Sequence, residues 1–474
     1  MKRYLLGMLV LASFGTMISS CSKDDKDTAV TPPVETDSII TISGDIAKND
    51  TLKASKKYLL KGHVYVMSGA TLTIEPGTVI MGDKTTKAAL VVTRGGKINA
   101  AGTKEKPIVF TSAQAAGARR EGDWGGLILL GNAKTNAATG EAKIEGGLVP
   151  TKTDNEGKAY IWYGGTNDDD NSGVLTYVRI EFAGIAFSPD NEINGLTMGG
   201  VGRGTKISYV QVYRSGDDAF EWFGGTVNCD HLVASLTWDD DFDTDNGFSG
   251  MIQFGVAQRY KTIADQSGSN GFESDNDANG STNAPKTHAI FSNMTIIGPI
   301  QTGFATSGIN ANYQHGAQIR RNSAMNLCNS VIVGFQWGVY IDDTKGSRTS
   351  LNAADGSLVF SKNVIAGCTN VTKSEWATTD ALAWAAWWGN TKTDTVTNVQ
   401  DLGLVDAYKF PGAVSTATGT PSFLLKATSK AFTGADFDAL TDAFWTKVTY
   451  RGAFNDKDDW TLGWTTAAAE DTKY

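Results

Sequence analysis

One motif occurs three times between Tyr209 and Asp277, and it confines the chain to a repeating architecture. The copies are Ser215–Glu221 (SGDDAFE), Asp239–Asp243 (DDDFD) and Ser269–Glu273 (SNGFE). In each, a Phe is followed by an acid. Phe220 and Phe242 are 22 residues apart, and Phe242 and Phe272 are 30 apart, one period plus an eight-residue insertion. A period in this range is the mark of a solenoid, whose units cannot bury their apolar faces alone. Short strand-forming runs, Tyr209–Tyr213 and His231–Leu236, precede the first two copies. A coil of three short strands and three turns accommodates such a period, so the expected fold is all-β: a parallel β-helix. Each Phe then stacks on the Phe one coil below, about 4.8 Å away.

The same geometry dictates where the acids go. Side chains alternate faces along a strand. With Phe220, Phe242 and Phe272 inside, Glu221, Asp243 and Glu273 stand in an outward row. Asp218, Asp240 and Asn270 form a parallel row, with Asp217 and Asp239 beside it. Like charges on neighbouring strands repel, by about 1 kcal/mol in water and several-fold more where solvent is excluded. A bound cation, an Arg or Lys partner, or raised carboxylate pKa values can offset this. Ca²⁺ suits the first case, because it takes many oxygen ligands in flexible geometry. Its candidate ligands are Asp218, Glu221, Asp240, Asp243, Asp245 and Glu273. Arg179, Arg214 and Arg259 are the candidate partners for the second case. Asp241–Gly247 (DFDTDNG) is not an EF-hand loop: counted from Asp241, positions 6 and 12 hold Asn246 and Ile252 where that loop needs Gly and Glu.

Acids outnumber bases, 51 to 42, and no basic cluster occurs, which argues against nucleic acid as a partner. Residues 1–20 read as a signal peptide: Lys2 and Arg3, then an apolar run from Leu5 to Ile18 too short to span a bilayer. Ile18-Ser19-Ser20-Cys21 resembles a lipobox, which implies a lipid anchor on Cys21. Lys23, Asp24 and Asp25 resemble the surface-export signal of Bacteroidota lipoproteins. The other cysteines, Cys229, Cys328 and Cys368, are odd in number and match no CxxC spacing, so buried apolar roles are expected. The four histidines form no zinc motif.

Short strands separated by Gly, Asn and Pro turns continue from Ile39 to about residue 370, which leaves a β-sandwich or propeller as the competing fold. Residues 134–175 read as a long polar loop leaving the coil. Thr71–Ile80 (TLTIEPGTVI), Gly95–Ala100 (GGKINA), Asp123–Gly131 (DWGGLILLG), Asp217–Asn228 (DDAFEWFGGTVN), Tyr450–Phe454 (YRGAF) and Asp459–Trp464 (DWTLGW) resemble motifs of outer-membrane lipoproteins of Bacteroidota, with relatives in spirochaetes. The resemblance implies a right-handed parallel β-helix solenoid on the outer membrane and no established activity.

The expected organisation is a signal peptide (1–20), a lipidated tether (21–38), the β-helix (39–370) and a C-terminal cap region (371–474). Ser374–Trp388 and Asp436–Lys447 read as helices. Trp384, Trp387, Trp388, Phe444 and Trp445 would cover the last coil, which otherwise exposes apolar side chains and strand edges. The Trp-rich stretch can equally be a sugar-stacking platform, so Trp384, Trp387 and Trp388 are candidate glycan-binding residues.

Of the polygalacturonase motifs only Gly216-Asp217-Asp218 has a counterpart, and no motif selects a lyase base. The leading function is therefore non-catalytic: a cell-surface lipoprotein that binds, or serves an outer-membrane transporter or adhesion system. A Ca²⁺-dependent polysaccharide lyase or glycosidase is the alternative.

Overall fold

The computed structural model describes residues 39–474 apart from 147, 149–159, 189–190 and 303–306. The signal peptide, Cys21, Lys23, Asp24, Asp25 and the tether lie outside the described residues.

Twenty-six strands join in one sheet system that winds as a parallel β-helix. The Phe repeat sets its register. Phe220 pairs with Phe242 and Phe242 with Phe272. All three rings are fully buried, with centroids 5.7 and 5.4 Å apart. Stacked rings give each coil the same inner contour as the next, which is how a repeat specifies register.

Two walls matter for function. The first carries the motif. Its strands include His63–Val66 of the strand Lys57–Val66, then Ala89–Val92, Gly126–Leu130, Leu196–Gly199, Phe220–Phe223, Phe242–Asp245, Phe272–Ser274, His315–Ile319, Trp337–Ile341 and Asn370–Ser374. One outward column on it reads Tyr65, Val91, Ile128, Thr197, Glu221, Asp243, Glu273, Gln318, Tyr340 and Lys373. Its first members are apolar and covered. An antiparallel hairpin, Glu141–Lys143 with Trp162–Gly164, lays Ile144, Ile161 and Tyr163 over Tyr65, Val91 and Ile128. The long loop expected over residues 134–175 is, in its described part, this cover.

The second wall is closed by the chain itself. Residues 400–474 run back along the coils instead of capping their end. Gln211, Gln253 and Asn329, on three different coils, each clamp the backbone of a strap residue from both sides: Thr466, Thr446 and Asp436, with every bond 2.8–2.9 Å. Arg119 donates to the carbonyls of Ala469 and Thr472. Under the strap runs a ladder of rings, Tyr177, Tyr209 and His231, 4.5 and 4.2 Å apart. Each sits at positive φ, 50–56°, a conformation that costs a non-glycine residue about 1–2 kcal/mol. Stacking and the buried Trp464, edge-on to both tyrosines, offset that cost.

Helices Trp376–Thr379 and Ala381–Asn390 lie where the Trp-rich stretch predicts. The longer one begins after its N-cap Asp380, rather than at Ser374 where the expected helix starts. Trp384, Trp387 and Trp388 are half-buried against the end of the core. The helix expected over Asp436–Lys447 does not form. Asp436 and Asp442 accept the backbone N–H two residues on, local bonds that compete with a helix. Phe444 and the buried Trp445 consequently pack on the side of the solenoid, near Cys328 and Met251, rather than over its end. Cys229, Cys328 and Cys368 are buried and unpaired, as expected.

Candidate functional site: an acidic cleft

The motif's acids converge in a cleft of about 690 Å³ on the first wall. Twelve carboxylates and two guanidiniums line it. Three overlapping groups of carboxylates have oxygens within 4.8 Å of one another: Asp217, Asp218 and Asp239; Asp218, Glu221 and Asp243; and Asp240, Asp243 and Glu273. Asp243 belongs to two of them, because it stands between Glu221 and Glu273 in the column.

Some of these acids are structural. Asp218 Oδ1 accepts the Asp240 backbone N–H at 2.7 Å, and Asp240 Oδ1 accepts that of Asn270. Each turn is thereby tied to the next. Glu221 accepts from the side-chain amide of Asn194. The central acid is different: Asp243 Oδ1 is buried and has no hydrogen-bond partner among the described residues, and Asp239 Oδ1 shares that condition. A buried, unmatched carboxylate oxygen is costly and calls for a partner.

Burial first, and neighbouring carboxylates second, raise Asp217, Asp218, Glu221, Asp240, Asp243 and Asp245 well above the usual carboxylate range. Burial pushes Asp239 up to about 6 although Ser267 hydrogen-bonds it. Glu273 rises to about 7 by burial, moderated by Arg320.

The expected arginine partners do not serve the rows. Arg179 pairs with Glu181, Arg214 with Glu121 and Glu470, and Arg259 with Asp241 inside the coil. Arg179 and Arg214 engage the strap side instead, and Arg259 faces inward. The cleft's guanidiniums are Arg320, paired with Glu273 and Asp275, and Arg321, paired with Asp275 at 2.6 Å. Burial lowers the Arg320 pKa, but Glu273 and Asp275 outweigh it and raise it.

Of the six candidate ligands, Asp218, Glu221, Asp240, Asp243 and Glu273 fall within the three groups. Asp245 lines the cleft one position along, accepting the Asn246 N–H. Sequence reasoning missed Asp275, Arg320 and Arg321, and also Glu145 and Asp265, which reach the cleft from loops, and Glu192, from the short strand Asn191–Ile193 outside the repeat. In the fourth coil Ala317 and Gln318 replace Phe and acid, so Arg320 carries no mark of the repeat.

The carboxylate groups and the unmatched oxygens of Asp243 and Asp239 fit a divalent cation: the donors are hard oxygens, clustered, and two guanidiniums face twelve carboxylates.

The fold places the chain among parallel β-helix proteins, and one family model matches it over residues 44–406. It belongs to the pectate-lyase-like β-helix domain family. No curated protein and no solved structure matches it.

Proposed function

We propose that this chain is a surface-anchored β-helix lipoprotein whose acidic cleft holds Ca²⁺ and, through it, binds an acidic glycan without cleaving it, as an accessory to uptake or adhesion at the outer membrane. The observation that carries this reading is the buried, unmatched Asp243 at the junction of two carboxylate groups. Asp218, Glu221 and Asp243 would hold one ion, and Asp240, Asp243 and Glu273 a second site sharing Asp243. A Ca²⁺ bound there supplies positive charge and open coordination positions for a glycan carboxylate. The anchor rests on Cys21 and the residues before it, and surface display on Lys23, Asp24 and Asp25.

Binding is favoured over lyase chemistry because a lyase needs a base able to lose its proton. The cleft's arginines are both ion-paired, and Arg320 is held more firmly protonated by its partners. Hydrolysis is the second reading. It is favoured by Glu273, whose carboxyl burial raises to about 7, in the range of a general acid.

Purified protein mixed with oligogalacturonates and neutral oligosaccharides, with Ca²⁺ or EDTA, separates the readings. Calcium-dependent retention of the acidic oligomers with no new products supports binding. New reducing ends establish hydrolysis, and unsaturated products establish a lyase. Cys21→Ala should release the protein from the membrane fraction. Alanines at Lys23, Asp24 and Asp25 should leave it anchored but protected from protease added to intact cells.

A further inference from the structure

The outward column does not end with the acids. Beyond Glu273 it continues as Gln318, Tyr340 and Lys373. The neighbouring outward column passes from His315 to Trp337. Three strand spacings carry the wall about 14 Å from Glu273 to Lys373, and its character changes from anionic to aromatic and cationic.

Lys373 is the unusual member. Its Nζ lies 4.0 Å from the Tyr340 ring centroid and 5.9 Å from that of Trp337. Among the described residues it makes no ion pair, although acids lie close by. Those acids are committed elsewhere. Glu375 accepts from the Tyr340 hydroxyl at 2.7 Å and from the Asp343 N–H at 3.0 Å. Asp342 accepts from Gln318 at 2.9 Å and from the Thr344 N–H at 2.8 Å. The ammonium is thus held against two rings, half-buried, with its charge unneutralised. Trp337 is half-buried on the same face.

We infer that Trp337, Tyr340 and Lys373 form a second, metal-independent subsite on this wall, which takes a ring and carboxylate of an acidic oligosaccharide whose other end lies in the cleft. Lys373 supplies the point charge for the carboxylate, and the Trp337 ring offers an apolar surface to a sugar face. The cation-filled cleft and the subsite then form two ends of one track along the solenoid axis, with Arg320 between them. This inference rests on the glycan reading of the cleft.

Calorimetry with Ca²⁺ present, using digalacturonate and hexagalacturonate as probes, tests it. Lys373→Met keeps an apolar stem over Tyr340 and removes the charge. It should weaken hexagalacturonate about tenfold, the size of one lost charge-assisted hydrogen bond. Digalacturonate and Ca²⁺ affinities should not change, and Lys373→Arg should restore hexamer binding. Trp337→Ala should weaken the hexamer in the same selective way. Unchanged hexamer affinity in Lys373→Met overturns the subsite while leaving the cleft reading intact. A parallel loss of Ca²⁺ affinity or melting temperature in Lys373→Met also overturns it, since the lysine then acts only through the fold. If the native protein binds neither oligomer, the cleft reading fails and the subsite falls with it.

Discussion

The two long walls of this solenoid solve the same problem in opposite ways. The central coils present polar side chains outward on both. On the strap wall those side chains are consumed: Gln211, Gln253 and Asn329 bond fully to the returning backbone. On the cleft wall the outward residues are acids facing acids, and the central one has an oxygen with no partner. Stability is gathered on one wall and withheld on the other. Nothing in the fold requires Glu221, Asp243 and Glu273 to be acids, because Thr197 and Gln318 occupy the same column one coil to either side. The proposed ligand, rather than the fold, then accounts for the acids.

The largest expected effect lies under the strap. Trp464→Ala should cost roughly 3–5 kcal/mol in a urea melt, the usual penalty for emptying a buried Trp site, because that ring packs edge-on to Tyr177 and Tyr209. A neutral result would mean that the strap is not integral to the wall. Next comes Gln211→Ala, which leaves both Thr466 backbone groups unpaired and should cost about 1–3 kcal/mol.

The cleft wall should respond with the opposite sign. In EDTA, Asp243→Asn removes a repelled charge while keeping the shape, so it should stabilise by on the order of 1 kcal/mol. A loss of stability there would show that Asp243 is already compensated. The smallest effect is on pH. Asp239 and Glu273 titrate at about 6 and about 7 in the folded protein, against ~3.9 and ~4.3 when unfolded. The folded state binds more protons in this window. Without calcium, stability contributed by these groups should be full below pH ~4 and decline as pH rises through ~7. A melting temperature flat across that range in EDTA would argue against uncompensated carboxylates.

The cleft was legible in the sequence wherever it is periodic. Phe220, Phe242 and Phe272 fix both coil register and acid parity, so Glu221, Asp243 and Glu273 follow from strand alternation alone. What broke the period escaped. Arg320 follows a long insertion and sits on a coil without the Phe. Glu145 comes from a loop and Glu192 from a short hairpin strand. Arg179, Arg214 and Arg259 look like partners along the chain, but the coil's corners turn them to the strap or the interior. The strap itself is aperiodic, and its helix-like spacing of Phe437, Leu440 and Phe444 is overridden by Asp436 and Asp442 bonding to their own backbone and by clamps from Asn329 and Gln253.

The central claim is that the cleft wall is completed by a divalent cation, and thermal melting of the native protein beside Asp243→Asn tests it most directly. A ligand held only by the folded state stabilises by mass action. Added Ca²⁺ should raise the melting temperature of the native protein saturably above its value in EDTA, and Asp243→Asn should lose most of that rise. Identical melting curves in EDTA and in millimolar Ca²⁺ would contradict the claim.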